Sequence, residues 1–136
     1  MKVTEILTES LGKRDTYPIL LDFIKFAAEH LDLNSLPKFD FVFDSKQSVE
    51  NKSFGGYRPG AEYITITVKN RHIMDVCRTL AHELVHYSQD LKQELEDDEA
   101  GSTGSPQENE ANAEAAIIMR NWGKLHPDYF DKESVE

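Results

Sequence analysis

The segment at about residues 73–91 constrains the fold of this chain most, because one face is apolar and the opposite face carries two histidines. Its apolar residues recur at helical spacing and form one stripe of Ile73, Val76, Cys77, Leu80, Leu84, Tyr87 and Leu91. His82 and His86 lie almost opposite that stripe and four residues apart, so both rings can reach a single ion. The pattern predicts a helix that packs in a core on one face and binds a metal on the other.

The two histidines belong to an H-E-x-x-H element, His82-Glu83-Leu84-Val85-His86, which is typical of a zinc site with its own general base. Glu83 leaves the same turn at a different angle, close enough to take a proton from water at the metal without being a ligand. We expect His82 and His86 to bind one Zn²⁺ and Glu83 to be the catalytic base. The plain alternatives are surface histidines on an amphipathic helix and a solvated acid.

A catalytic zinc needs a third protein ligand. The next helical segment, expected at about 107–122, begins with the carboxylates Glu108, Glu110 and Glu114. We expect Glu110 to be the third ligand and Glu114, one turn on, to accept the other N–H of a ligand histidine. Glu108 or Glu114 could take the ligand position instead. An acid favoured by the helix dipole is the alternative interpretation of Glu110.

The remaining periodicities predict an α+β fold in a single domain spanning residues 1–136. The expected elements are helices at 2–11 and from 15 or 16 to 34–35, strands at 39–44, 53–57 and 62–68, and metal helices at about 73–91 and 107–122. We expect the strands to form a small antiparallel sheet, with the second and third as a hairpin. Residues 92–107 are expected to be a flexible acidic loop, and Gly123 to end the last helix.

Composition narrows the partners. The net charge of −10 and the lack of a Lys/Arg run argue against direct nucleic-acid binding. Cys77 is the single cysteine, which excludes an intramolecular disulfide and a cysteine-based zinc ribbon. The segment Met1–Glu5 does not resemble a secretory signal, and no apolar run is long enough to span a membrane. We expect a cytoplasmic protein that acts on a protein or peptide substrate, with no membrane partner.

On His82-Glu83-Leu84-Val85-His86 and Glu110-Ala111-Asn112-Ala113-Glu114, the chain resembles the gluzincin class of zinc metallopeptidases. The run Asn109-Glu110-Ala111-Asn112, followed by Ala115-Ala116, is similar to the second helix of the small ImmA/IrrE-like and minigluzincin-type proteases. The resemblance covers roughly residues 54–122. It implies a minimal zincin-like domain, one zinc and hydrolysis of peptide bonds, with His82, His86 and Glu110 as ligands and Glu83 as base.

Two matters stay open in the sequence. The residue that stabilises the oxyanion could be Tyr57, Tyr87, Arg120, His126 or Tyr129. An extended substrate is expected to pair with the edge of the strand at 63–68. The alternative functions are a metal-stabilised binding or assembly module with weak or no peptidase activity, a non-haem iron enzyme, and a DNA-associated protease of the SprT kind.

Overall fold

The computed structural model describes residues 16–42, 55–58, 60, 62–69, 71–92 and 105–131. Their elements in chain order are α1 (Thr16–His30), β1 (Lys38–Val42), β2 (Gly55–Arg58), β3 (Tyr63–Thr67), α2 (Ile73–Leu91), α3 (Pro106–Leu125) and a short 3₁₀ helix (Pro127–Asp131). This arrangement confirms the α+β fold class. The helix expected at 2–11 and most of the acidic loop, residues 93–104, lie outside the described residues.

The three strands form a mixed sheet in the order β1-β3-β2. β2 pairs antiparallel with β3, as expected for the hairpin, whereas β1 pairs parallel with β3. The expectation of an antiparallel sheet was therefore wrong for β1. Alternating apolar residues bury one face of a strand in either direction, so this signal does not encode the direction of pairing. The expectation that the strand at 63–68 is an edge was also wrong, because β3 is the central strand.

Helix α1 ends at His30, four residues before the expected Asn34-Ser35. The backbone closes there in a Schellman motif: Leu33 N–H donates to Ala28 O at 2.9 Å and Asp32 N–H to Glu29 O at 3.1 Å. Asp32 takes the left-handed position of this motif with φ 55°. Glycine usually fills that position, so an aspartate gave the sequence no recognisable stop signal.

Helices α2 and α3 pack antiparallel against each other. Helix α2 also packs against the sheet and α1, and α3 packs against α1. The α2 stripe is buried as expected, except for Leu91, which is 46% exposed. On α3, the buried positions recur at helical spacing and comprise Ala111, Ala115, Ile118, Met119 and Trp122. The small alanines allow the two helices to approach closely near the beginning of α3, where the carboxylates lie.

Gly123 was expected to end the last helix, but it lies inside α3 and is buried. A β-carbon at Gly123 would lie 2.9 Å from the Phe130 ring of the 3₁₀ helix. The absence of a side chain therefore serves close packing rather than helix termination. Within the described ranges, none of the helices is both long and apolar enough to traverse a lipid bilayer.

A candidate metal centre between two helices

His82, His86 and Glu108 bring three ligand atoms together where α2 faces the first turn of α3. The Nε2 atoms of His82 and His86 lie 3.1 Å apart. The Glu108 carboxylate contacts both rings, with Oε1 at 2.9 Å from His82 Nε2 and Oε2 at 3.0 Å from His86 Nε2. Two imidazoles and a carboxylate around one point are a donor set that zinc accepts.

The spacing of these atoms fits a tetrahedral ion. Zinc–nitrogen and zinc–oxygen bonds of about 2.0–2.1 Å at tetrahedral angles require donors about 3.3 Å apart. The distances of 2.9, 3.0 and 3.1 Å differ from that value by a few tenths of an ångström. Small side-chain rotations would open the site to that size, so the three residues can hold one zinc ion without movement of either helix.

Glu83 lies beside this cluster on α2 and is 8% exposed. Burial raises the pKa of its carboxyl to about 7, and the negative charge of Glu108 adds to that effect while His86 opposes it. A carboxyl with a pKa near neutrality exchanges protons readily at physiological pH, which is what a general base that later acts as an acid requires. The structure thus places Glu83 where the H-E-x-x-H spacing predicted it.

Glu108, not Glu110, is the carboxylate that reaches the histidines, and this corrects the expected third ligand. Ser105 caps α3 through a hydrogen bond from Glu108 N–H at 3.1 Å, and Pro106 begins the helix. The buried stripe therefore continues backward from Ala115 and Ala111 to position 108. Glu110 is two residues, or about 200°, further round the helix, and its carboxylate contacts Gln89 instead of the histidines.

Glu110 and Glu114 have other partners. Glu110 Oε1 accepts a hydrogen bond from Gln89 Nε2 at 2.9 Å, and Glu114 Oε2 lies 3.1 Å from His30 Nε2 at the end of α1. Glu114 is therefore not the acceptor expected for a ligand histidine. The expected pair one turn apart on α3 does exist, but in a register two residues earlier, as Glu108 and Asn112. The Asn112 side chain forms a hydrogen bond with His82.

Gln89 supports His86 and was missed in the sequence. It is 1% exposed, and its Nε2 donates to Gln107 O and Glu110 Oε1, both at 2.9 Å. Its Oε1 must therefore be the acceptor for His86 Nδ1–H at 2.8 Å. This hydrogen bond leaves His86 Nε2 with a free electron pair directed at the cluster. Position 89 is one turn beyond His86, which is the only sequence signal for this role.

His82 is held in a form that can bind a metal. Burial lowers the pKa of its ring, and the neighbouring His86 lowers it further, against the opposing charge of Glu108. The imidazole is therefore neutral near pH 7. Neutral imidazole is the form that binds a metal ion.

Strand β2 runs alongside the part of α2 that carries the cluster. At one end of the strand, a β-carbon on Gly55 would lie 2.6 Å from Thr79 Cγ2, three residues before His82. At the other end, the Tyr57 hydroxyl donates to Asp90, four residues after His86. Burial and this hydrogen bond raise the pKa of Tyr57, so its phenol stays protonated. Gly60, at φ 81°, donates its N–H to the same Asp90 at 2.8 Å.

The other candidates for oxyanion stabilisation lie elsewhere. The Tyr87 hydroxyl is 2.7 Å from Ser35 Oγ in the interior. His126 and Tyr129 stack on each other next to Trp122. Arg120 lines a separate cleft with His72 and Phe130. The Tyr57 hydroxyl contacts Asp90, four residues after His86 on α2.

Comparison of the chain with protein-family models, curated proteins and solved structures gives no match. The interpretation of the site therefore rests on its own geometry.

Proposed function

We propose that this protein is a zinc-dependent peptidase, in which His82, His86 and Glu108 hold the ion and Glu83 is the general base. The observation that carries the proposal is the convergence of three ligand atoms within 4.8 Å beside a buried carboxyl with a pKa of about 7. A structural zinc site has four protein ligands, which leave no open coordination position, and it needs no neighbouring base. Three donors with an adjacent acid match a catalytic site.

The zinc ion, when bound, would supply a Lewis acid that polarises the scissile carbonyl and acidifies a water molecule. Glu83 accepts a proton from the attacking water while the oxygen of that water forms a bond to the carbonyl carbon. Glu83 then delivers that proton to the nitrogen as the carbon–nitrogen bond breaks, which releases the amine and the new carboxylate. The candidate second donor to the oxyanion is the Tyr57 phenol, which has to exchange its hydrogen bond to Asp90 for one to the substrate.

An extended peptide fits the outer edge of β2 better than β3. β2 is an edge of the three-stranded order, and it flanks α2 from Thr79 to Asp90. Among the residues that the structure describes, none lies within 4 Å of the position that a β-carbon of Gly56 would occupy. Strand addition there would bind the backbone of a substrate alongside the metal cluster.

The test is the isosteric variant Glu83→Gln with its zinc content measured. We expect cleavage of a denatured protein substrate such as casein to fall by roughly 10²–10⁴-fold, because the base is lost. One zinc per chain should remain bound, since Glu83 is not a ligand. The matched control is Glu114→Gln, which alters a carboxylate that contacts His30 instead and should leave cleavage unchanged.

Two results would contradict this assignment: cleavage that persists in Glu83→Gln, or a loss of zinc together with activity in that variant. Metal analysis of protein purified without added metal separates a zinc peptidase from an iron enzyme.

A metal-stabilised binding module is the second candidate function. It is favoured by the hydrogen bonds of two candidate oxyanion donors, because the Tyr57 and Tyr87 hydroxyls already contact Asp90 and Ser35. In that case His82→Ala would lower the melting temperature, while the zinc-loaded wild type would cut no substrate. Turnover by the wild type excludes this candidate.

A further inference from the structure

A second cleft follows the seam between α2 and α3 towards the beginning of α2. It has a volume of about 460 Å³, and its lining includes His72, Met74, Asp75, Arg78, Met119 and Arg120. A neighbouring cavity of about 350 Å³ includes both Arg78 and the ligand His82 in its lining. Arg78 thus forms a wall of both cavities, and this Arg78–Arg120 cleft adjoins the metal cluster.

Most polar groups in this cleft are already engaged. His72 Nδ1 accepts a hydrogen bond from Met74 N–H, and its Nε2 donates to Phe130 O. Asp75 Oδ2 pairs with the buried Arg71 guanidinium at 2.8 and 2.9 Å, which offsets its charge.

The two remaining arginines are available. Arg78 and Arg120 are exposed and come from facing helices. Neither has a hydrogen-bond or ion-pair partner in the part of the chain that the structure describes. Each guanidinium group can bind a carboxylate with two parallel hydrogen bonds.

The apolar part of the cleft indicates what carries that carboxylate. Met74 and Met119, each 6% exposed, lie in its wall with Phe130. An aliphatic stem would contact these side chains while its charged end reaches the arginines. The negative charge of the whole protein repels a polyanion such as a nucleic acid, whereas a single carboxylate carries little penalty.

We propose that the Arg78–Arg120 cleft is a specificity subsite that binds an Asp or Glu side chain of the peptide substrate. The assignment rests on the proposed peptidase function. Arg78 is four residues from His82, and Arg120 is eight residues from Asn112, which contacts His82. These separations are about 6 and 12 Å along the helices. The acidic residue would therefore lie about two to four residues from the scissile bond in an extended peptide.

The test measures binding separately from cleavage. The probes are fluorescein-labelled nonapeptides of Ala, Gly and Leu with one Glu placed at each position in turn, and the same series with Gln. Anisotropy is recorded with full-length Glu83→Gln protein in the presence of zinc. We expect at least one Glu peptide to bind about 10-fold more tightly than its Gln counterpart, an advantage that rising salt reduces.

Arg78→Gln and Arg120→Gln should each remove most of that preference. Lys124→Gln, an exposed cation one turn further along α3, should not change it. Arg120→Glu should reverse the preference, so that a peptide with Lys at the same position binds more tightly than the Glu peptide. Equal binding of the Glu and Gln series, or a preference that survives in both arginine variants, would overturn the subsite.

Wild-type cleavage of the same peptides tests the peptidase function independently. Preferential binding of Glu peptides without any cleavage would keep the subsite as a carboxylate-binding site and remove the peptidase. Cleavage that is indifferent to Glu or Gln would keep the peptidase and remove the subsite. Neither binding nor cleavage of any peptide would overturn both.

Discussion

Gln89 determines which nitrogen of His86 can bind a metal. Its amide nitrogen is committed to Gln107 O and Glu110 Oε1, so its oxygen can only accept the proton of His86 Nδ1. The same side chain joins α2 to the turn of α3 that carries Glu108. One buried amide therefore positions two of the three proposed ligands.

We predict that Gln89→Leu weakens zinc affinity by roughly 10- to 100-fold, because His86 loses the acceptor that fixes its tautomer and orientation. The measurement is a competition titration against a zinc chelator. Asn121→Leu, at an exposed position of α3, is the control and should bind zinc like the wild type. Unaltered affinity in Gln89→Leu would mean that the amide supports only helix packing.

Glu83 makes the stability of the metal-free protein depend on pH. Burial raises the pKa of the folded-state carboxyl from its ordinary value of 4.5 to about 7, so the folded protein retains a proton that the unfolded chain releases. The contribution favours folding fully below about pH 4.5 and is lost as the pH rises through 7. Charging this buried group therefore destabilises the protein in neutral and alkaline solution.

We predict that Glu83→Gln, studied in EDTA, is more stable than the wild type at pH 8 by about 1–3 kcal/mol. At pH 5 the difference should nearly vanish, since the wild-type carboxyl is then protonated in the folded state. Urea denaturation of both proteins at pH 5 and pH 8 measures this difference in the free energy of unfolding. Glu29→Gln, at an exposed position, should show no such pH dependence, and an equal effect of Glu83→Gln at both values would contradict the prediction.

At the scale of the helix, the register of α3 decides which carboxylate faces the histidines. The stripe Trp122, Ile118, Ala115 and Ala111 can be read from the sequence, and three residues further back it reaches Glu108. The sequence also contains the cap, because Ser105 and Glu108 have the spacing of a capping box. The sequence prediction placed Glu110 and Glu114 on the inner face of α3, whereas the buried stripe places Glu108 there.

We predict that Glu108→Gln lowers zinc affinity by roughly 100-fold or more, whereas Glu110→Gln changes it less than about threefold. Glu108 contacts both histidines, whereas an amide oxygen at position 110 could still accept the hydrogen bond from Gln89. Both substitutions conserve size, so each is the control for the other. The reverse order of effects would restore Glu110 as the ligand.

The elements differ in how well the sequence encoded them. Helix α2 was predicted with its observed limits, because its stripe is long and strongly periodic. The parallel pairing of β1 with β3 was not predictable in the same way. Strand alternation shows which face of a strand is buried, but it contains no information about the direction in which the strand pairs.

At the scale of the whole molecule, the site joins segments that are separated in sequence but share one interface. The H-E-x-x-H spacing predicted that His82, Glu83 and His86 lie close together because all three are on one helix, while their roles in binding and catalysis stay a prediction. The partners supplied by tertiary packing, such as Asn112 for His82 and the Thr79–Gly55 contact that brings β2 to the site, were not predicted. Helical periodicity was therefore enough to predict which residues of α2 lie together. The contacts that α3 and β2 make with α2 could be seen only in the folded structure.

Because the proposed ion would bridge α2 and α3, its removal should lower the free energy of unfolding of the whole protein. Binding at 100 to 1,000 times Kd adds about 2.7–4.1 kcal/mol to the free energy of unfolding, which for a chain of 136 residues corresponds to a shift of about 10 °C. We predict that EDTA lowers the melting temperature of the wild type by that amount. His82→Ala should melt at the same temperature with zinc or EDTA. His30→Ala, which affects the contact with Glu114, should keep the full difference between the two conditions. A wild-type melting temperature that is unaffected by zinc or EDTA would show that no ion links the helices, and both functional candidates would then lose their basis.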